Sequence, residues 1–111
     1  MVLGITSKIR LYKGSEYITT HYAEKDCLEN AARACSMSRR RFNDVFKKTF
    51  GITPNGFLTN HKIDIAKKLL KIEELGIADV AENAGFSDLY YFSRKFKTET
   101  GMTPTEYRAQ R

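Results

Sequence analysis

The residues best suited to metal or redox chemistry in this sequence are two cysteines, Cys27 and Cys35, and two histidines, His21 and His61. On one helix the cysteines would be separated by about 12 Å of rise, which is beyond the reach of a disulfide bond. None of the C-x-x-C or H-x-x-x-H spacings typical of redox and zinc sites occurs. We therefore interpret both cysteines as structural thiols, and we expect no metal and no cofactor.

Enzyme chemistry has equally little support in the sequence. Neither histidine lies near a nucleophile or a pair of carboxylates at motif spacing, and there is no glycine-rich phosphate loop. A chain of 111 residues also has little left over, beyond its core, to line a deep substrate cleft. We expect no catalytic residue and no enzymatic activity.

Polar side chains able to read a nucleic acid recur at helical spacing in two segments, opposite Phe42 and Phe46 in one and opposite Phe92 and Phe96 in the other. A guanidinium can donate two hydrogen bonds to guanine O6 and N7, and a carboxylate can accept one from cytosine N4. The alternative is an ordinary solvated helix face, on which Asp44 only pairs with Arg40 or Lys48 four residues away. The outward residues are Arg40, Asn43, Asp44 and Lys47 in the first segment, and Tyr90, Ser93, Arg94 and Lys97 in the second.

The two segments belong to an internal repeat. At an offset of 50 residues, Phe42–Phe57 aligns with Phe92–Tyr107, and both runs contain Gly-x-Thr-Pro. Upstream, Leu28–Ser38 aligns with Ile77–Ser87 at an offset of 49, so the second copy has one extra residue between its serine and its first phenylalanine. Gly-x-Thr-Pro is typical of one helix ending and the next beginning.

Each copy therefore predicts helix, short turn, helix, and nothing in the sequence indicates strands. We predict an all-α fold of about seven helices, in which two helix-turn-helix subdomains are joined by a long connecting helix. Residues 1–14 are expected to lead into a domain at 15–111, and a first helix, weakened by Gly14, is expected over about Ser7 to Ala23. The other predicted bounds are about 28–50 for the first helix-turn-helix, 54–71 for the connecting helix, 77–100 for the second helix-turn-helix and 104–111 for a C-terminal helix.

The charge balance favours a polyanionic partner. The chain carries 19 Lys and Arg against 13 Asp and Glu, a net charge of +6, so we expect nucleic acid first and an anionic membrane surface second. Without a run of 18 or more apolar residues or a signal peptide, we expect no membrane span and a cytoplasmic location. The negative charge is concentrated in residues 72–93, which contain no Lys or Arg and five acids: Glu73, Glu74, Asp79, Glu82 and Asp88.

The runs Ile77–Asp88, Tyr91–Lys97 and Gly101–Arg108 closely resemble the second motif of the bacterial AraC/XylS-type transcriptional regulators. Over about residues 15–111, the resemblance implies a transcription factor that binds double-stranded DNA sequence-specifically and reads two adjacent major-groove segments with two recognition helices. This chain departs from the family pattern at Lys62, where arginine is usual, and at Ser36, where the first turn commonly has glycine. The first copy resembles the family's first motif through Ala32, Ser38, Phe42, Phe46, Lys47, Gly51, Phe57, Leu58, Ala66 and Leu70.

By this resemblance the outward residues of each second helix, with nearby cations, contact DNA. The resemblance also implies that the acidic stretch is a contact for RNA polymerase. Many members of the family have an N-terminal effector-binding and dimerisation domain, for which these 111 residues leave no room. We therefore expect the chain to be either a stand-alone regulator or a fragment of a longer one. The alternative is a basic helical RNA-binding or interaction module, although single strands need an aromatic stacking surface that this sequence lacks. The implied DNA-binding residues are Arg39, Arg40, Arg41, Asn43, Asp44, Lys47, Lys62, Tyr90, Ser93, Arg94 and Lys97.

Overall fold

The structure is a computed structural model that describes residues 4–110, and over these residues the chain forms seven α-helices and no strand. The predicted all-α class and the predicted number of helices are confirmed. The chain divides into two compact units, the first ending at Thr59 and the second beginning at Asn60. The helices are α1 (Ile5–Thr20), α2 (Cys27–Ala34), α3 (Arg39–Phe50), α4 (Pro54–Leu70), α5 (Ile77–Asn83), α6 (Leu89–Thr100) and α7 (Pro104–Ala109).

In the first unit, α1, α2, α3 and the start of α4 enclose one apolar core. Helix α3 begins after Ser38, whose Oγ accepts a hydrogen bond from the backbone N–H of Arg41 at 3.2 Å, and Gly51 caps its C-terminal end. The side-chain cap satisfies a backbone donor that the helix itself leaves unpaired. The buried residues of this core are Leu11, Ile18, Cys27, Ala31, Ala32, Cys35, Phe42, Val45, Phe46 and Leu58.

In the second unit, the rest of α4 packs with α5, α6 and α7 around a second core. Helix α6 begins after Asp88, whose Oδ1 accepts from the N–H of Tyr90 at 2.8 Å. Arg108 of α7 donates from Nε to the carbonyl of Leu70 at 2.9 Å, so it satisfies an acceptor left at the end of α4. The buried residues of this core are Ile63, Ala66, Leu70, Val80, Ala81, Ala84, Phe86, Phe92 and Phe96.

The repeat in the sequence is preserved in the packing of its aromatic rings. On α3, and again on α6, two phenylalanines one helical turn apart contact each other. The aromatic residue that follows Gly-x-Thr-Pro packs edge-to-face against the second of these phenylalanines, a favoured geometry for ring pairs. Similar local sequences therefore build similar packing twice. The ring centroids are 5.4 Å apart for Phe42–Phe46, 5.7 Å for Phe92–Phe96, 5.5 Å for Phe46–Phe57 and 5.4 Å for Phe96–Tyr107.

Each helix-turn-helix turn closes its first helix with a residue in the left-handed region. That residue is Ser36 in the first turn, at φ +56°, and Gly85 in the second, at φ +91°. The next residue then donates its N–H back to a carbonyl near the helix end, the Schellman arrangement, at 3.0 Å for Met37 to Ala32 and 2.9 Å for Phe86 to Ala81. A left-handed conformation costs a residue with a side chain about 1–2 kcal/mol, so the first turn is the more strained.

The extra residue of the second copy is accommodated in its turn. Sequence alignment pairs Ser87 with Ser38, but the residue that caps α6 is Asp88. The second turn is therefore one residue longer than the first, and α6 begins at Leu89, which is 50 residues after the start of α3 at Arg39.

Helix α1 begins at Ile5, inside the segment that was predicted to lead into the domain, and ends at Thr20, earlier than the expected Ala23. Residues 1–3 of that segment, like residue 111 of the predicted C-terminal helix, lie outside the described residues. The domain boundary at residue 15 stays a prediction. The buried residues of α1 and those of α4 in the second unit are separated by the same intervals, three residues and then four. They are Leu11, Gly14 and Ile18 in α1, and Ile63, Ala66 and Leu70 in α4.

Replacing Gly14 by alanine tests the close approach of α1 to its neighbours. The added methyl group would lie 2.5 Å from Cys35 Sγ and 2.8 Å from Phe42 Cε1, and both of those side chains are fully buried. Overpacking of this kind costs about 1–3 kcal/mol, more than the roughly 1 kcal/mol by which alanine favours a helix. We expect Gly14→Ala to lower the free energy of unfolding in urea, followed by circular dichroism. The exposed neighbour substitution Lys13→Ala should be nearly neutral, and a Gly14→Ala protein more stable than wild type would contradict the packing.

The two turn residues should respond in opposite directions to exchange. Ser36→Gly relieves left-handed strain and should raise the free energy of unfolding by about 0.5–1 kcal/mol, whereas Gly85→Ser introduces the strain and should lower it by about 1–2 kcal/mol. Thermal and urea unfolding of both variants measure the two effects. A shift of the same sign in both would show that backbone conformation does not govern these positions.

Candidate nucleic-acid interface

Helix α3 presents an outward polar face because its opposite face is buried. Phe42, Val45 and Phe46 lie in the first core, so residues on the other side of the helix meet solvent. The N-terminal end of a helix also favours anions, because its free N–H groups and its dipole are positive there. The six residues predicted from this segment all lie on α3, and four of them are exposed: Arg40, Arg41, Asp44 and Lys47.

Arg39 is held by two neighbours. Its Nη1 forms an ion pair with Glu29 Oε1 at 3.0 Å, and its Nε donates to Asn43 Oδ1 at 3.2 Å. Glu29 belongs to α2, so the ion pair connects the two helices of the first helix-turn-helix. Of the three consecutive arginines, Arg40 and Arg41 are the exposed ones.

Asp44 is exposed on the same face as the cations. Within residues 4–110, no ion pair of up to 4.0 Å joins it to Arg40 or to Lys48, so the pairing considered from sequence is not formed. Its carboxylate borders a shallow hollow that Arg40, Arg41 and Lys48 also line. Nearby cations offset the repulsion between this carboxylate and phosphates, and they leave it able to accept a hydrogen bond from cytosine N4.

Helix α6 presents a more aromatic face than α3. Tyr90 is 81% exposed, Arg94 and Lys97 are exposed, and Ser93 is half-buried. Leu89 and Tyr91 are also exposed, although neither was predicted as part of the site. The sequence did contain a signal for their exposure. In the run Leu-Tyr-Tyr-Phe, only the phenylalanine, Phe92, is followed four residues later by the other buried phenylalanine, Phe96, so the three residues before it do not belong to the buried face.

Lys62 of α4 packs against the second turn. Its Nζ lies 5.5 Å from the ring centroid of Phe86, and a cation over an aromatic face is attracted by the negative face of the ring. Phe86 is buried, and its ring centroid is 5.0 Å from that of Phe92 on α6. The position where the family usually has arginine is thus linked, through one ring, to the buried face of α6.

Part of the acidic stretch serves the helix ends. Asp79 Oδ2 accepts from the N–H of Gly76 at 3.2 Å at the start of α5, and Asp88 caps α6. Carboxylates at these positions are stabilised by the positive end of the helix dipole. Glu74 and Glu82 are exposed and remain available to a partner.

Both cysteines are buried in the first core, and neither is part of a disulfide bond. Cys35 Sγ donates to the carbonyl of Arg10 at 2.9 Å, and burial raises the pKa of the Cys35 thiol, which favours the unreactive protonated form. Within residues 4–110, no group of three or more His, Cys, Asp or Glu side chains is arranged to hold a metal ion. Nor is any helix in that range long and apolar enough to cross a membrane.

A family model described as a helix-turn-helix domain matches residues 31–110. The arabinose operon regulatory protein of Escherichia coli is 35% identical over 101 residues, which are 90% of this chain and 35% of that protein. The transcriptional regulator AlkR of Acinetobacter baylyi is 36% identical over 90 residues, which are 80% of this chain and 29% of AlkR. The chain thus spans about a third of the length of the curated relatives it matches.

Solved structures show the same fold. The C-terminal domain of AraT, a response regulator from Geobacillus stearothermophilus, superposes with a TM-score of 0.85 at 31% identity and covers 92% of this chain and 85% of that one. The DNA-binding domain of AdpA, solved in complex with a target DNA, superposes with a TM-score of 0.81 at 27% identity and covers 89% of each chain. Two helix-turn-helix units in this order, matched by the family model and by these regulators, show that the chain belongs to the AraC-type family of DNA-binding transcriptional regulators.

Proposed function

We propose that this chain is the DNA-binding part of a transcription factor, and that α3 and α6 read two adjacent major-groove segments of a specific double-stranded site. The observation that carries this proposal is the way each unit holds its second helix. A cap starts the helix, a glycine ends it and two buried phenylalanines orient it, so that one polar face meets solvent. A helix of this kind fits the major groove, where base edges carry a readable pattern.

The exposed residues divide by chemistry into readers and anchors. Arg40 and Arg94 are the proposed readers, because each presents a guanidinium that can bind guanine O6 and N7 together. Lys47 and Lys97 lie near the C-terminal ends of α3 and α6, and a single flexible ammonium suits a phosphate better than a base pair. Tyr90 offers its ring to a thymine methyl group.

Further attributes of the protein are proposed from its family. The exposed Glu74 and Glu82 are the proposed contact for RNA polymerase. As for a bacterial transcriptional regulator, the proposed location is the cytoplasm, and no enzymatic activity is proposed. Because the curated relatives are about three times as long as this chain, an effector-binding and dimerisation domain is a proposed partner. The outward residues of α3 and α6 nevertheless lie entirely within this chain.

Alanine substitutions should separate readers from anchors. Arg40→Ala or Arg94→Ala should cost about 1–3 kcal/mol on the preferred duplex and relax specificity at one or two base pairs, because a bidentate base contact is lost. Lys47→Ala or Lys97→Ala should weaken preferred and scrambled duplexes alike and reduce the salt slope by about one unit, because one phosphate contact is lost.

The measurement is binding at several salt concentrations to preferred and scrambled DNA duplexes, with an RNA duplex of the same sequence as the control for nucleic-acid type. Equal weakening of both DNA duplexes by all four substitutions would show that α3 and α6 do not read sequence. Tighter binding of the RNA than of the DNA would favour the RNA-binding alternative.

A further inference from the structure

Arg39 lies on the first turn of α3, where a free cation would meet DNA, yet its guanidinium is engaged within the protein. We propose that Arg39 is a positioning residue: anchored by Glu29, it orients the side-chain amide of Asn43 so that Asn43 reads DNA as a hydrogen-bond donor. This inference rests on the proposed function, because it assigns a base preference to one residue of the reading helix.

The orientation of the Asn43 amide follows from the chemistry of its partner. A guanidinium has only donors, so the atom of Asn43 that lies 3.2 Å from Arg39 Nε is the carbonyl oxygen. The amide nitrogen, with its two hydrogens, is therefore on the side turned away from Arg39. A hydrogen bond from a charged donor is stronger than one between neutral groups, which favours this orientation over the flipped one.

The ion pair with Glu29 holds the guanidinium of Arg39 in the position from which it binds Asn43. Glu29 Oε1 lies 3.0 Å from Arg39 Nη1, a different nitrogen from the one that binds Asn43. The side chains of Glu29 and Arg39 are 52% and 35% exposed, so this contact can be removed without opening the core. Glu29 comes from α2 and the other two residues from α3, which makes the orientation of Asn43 depend on how the two helices pack.

An asparagine held in this way has a defined preference among bases. In the major groove, guanine, adenine and thymine each present an acceptor to a donor, whereas cytosine presents only its N4 amino group, which is a donor. For adenine, the bond from Arg39 uses one lone pair of the Asn43 oxygen, and the second lone pair can still accept from N6 while the amide nitrogen donates to N7. The base facing Asn43 should therefore be one that presents an acceptor, and cytosine should be disfavoured.

The test selects bound duplexes from a random pool with the full chain and with its variants. Asn43→Ala identifies the base pair that Asn43 contacts, because specificity should relax there. Glu29→Ala removes the anchor without touching α3, and Glu29→Gln keeps an acceptor oxygen for Arg39. The matched control is Glu99→Ala, which makes the same charge change and breaks a different ion pair, Lys95–Glu99 at 3.6 Å.

We expect Glu29→Ala to lower the preference for an acceptor-bearing base over cytosine at that one pair by about twofold to tenfold, the effect of one oriented hydrogen bond. Glu29→Gln should retain most of the preference, Glu99→Ala should leave it unchanged, and Glu29→Ala should have no further effect in the Asn43→Ala background. Circular dichroism should show the wild-type helical content in every variant.

Three results would overturn the inference. They are an unchanged preference in Glu29→Ala, a uniform loss of affinity without a change at a single pair, and no relaxed pair in Asn43→Ala. Each of these leaves the proposed function standing as long as the wild-type chain selects a sequence. A wild-type chain that enriches no sequence would refute the proposed function itself.

Discussion

The burial of two phenylalanines, one helical turn apart, on α3 and again on α6 is the constraint on which the rest of the structure depends. All four rings are inaccessible to solvent. Truncating a buried phenylalanine costs about 3–5 kcal/mol, and a whole domain of this size is stable by only about 5–15 kcal/mol. A rotation of either helix that exposed one of these rings would therefore remove a large part of the stability of the unit. The outward face of each helix is determined by what its inward face must bury.

This dependence explains why so much of the fold could be predicted from the sequence. The spacing of the phenylalanines and the Gly-x-Thr-Pro runs are local signals, and they indicate the helices, their ends and their faces without any tertiary knowledge. Gly14 shows where local signals fail, because a glycine lowers helix propensity and so weakened the prediction of α1. Its actual role is to let α1 approach Cys35 and Phe42, and only the tertiary packing reveals such a contact.

The candidate site divides in the same way between what was predictable and what was not. The types of the outward residues, and the helices that carry them, follow from the sequence. Their partners do not, because long side chains choose among neighbours that come from other helices. Three adjacent arginines look alike in the sequence, but Glu29 of α2 engages Arg39 alone, and Lys62 of α4 lies over the ring of Phe86.

Comparison of the two copies separates the parts of the site that can vary. At the offset of 50 residues, the buried phenylalanines are the same in both copies, whereas three outward positions differ. In the alignment, Arg40 corresponds to Tyr90, Asn43 to Ser93 and Asp44 to Arg94. The fourth outward position is lysine in both copies, at Lys47 and Lys97. Phosphates are the same at every step of a duplex, while base edges change with sequence. One scaffold used twice on one DNA is expected to keep its phosphate contact and vary its base contacts, and the proposed anchors and readers of these two helices follow that pattern.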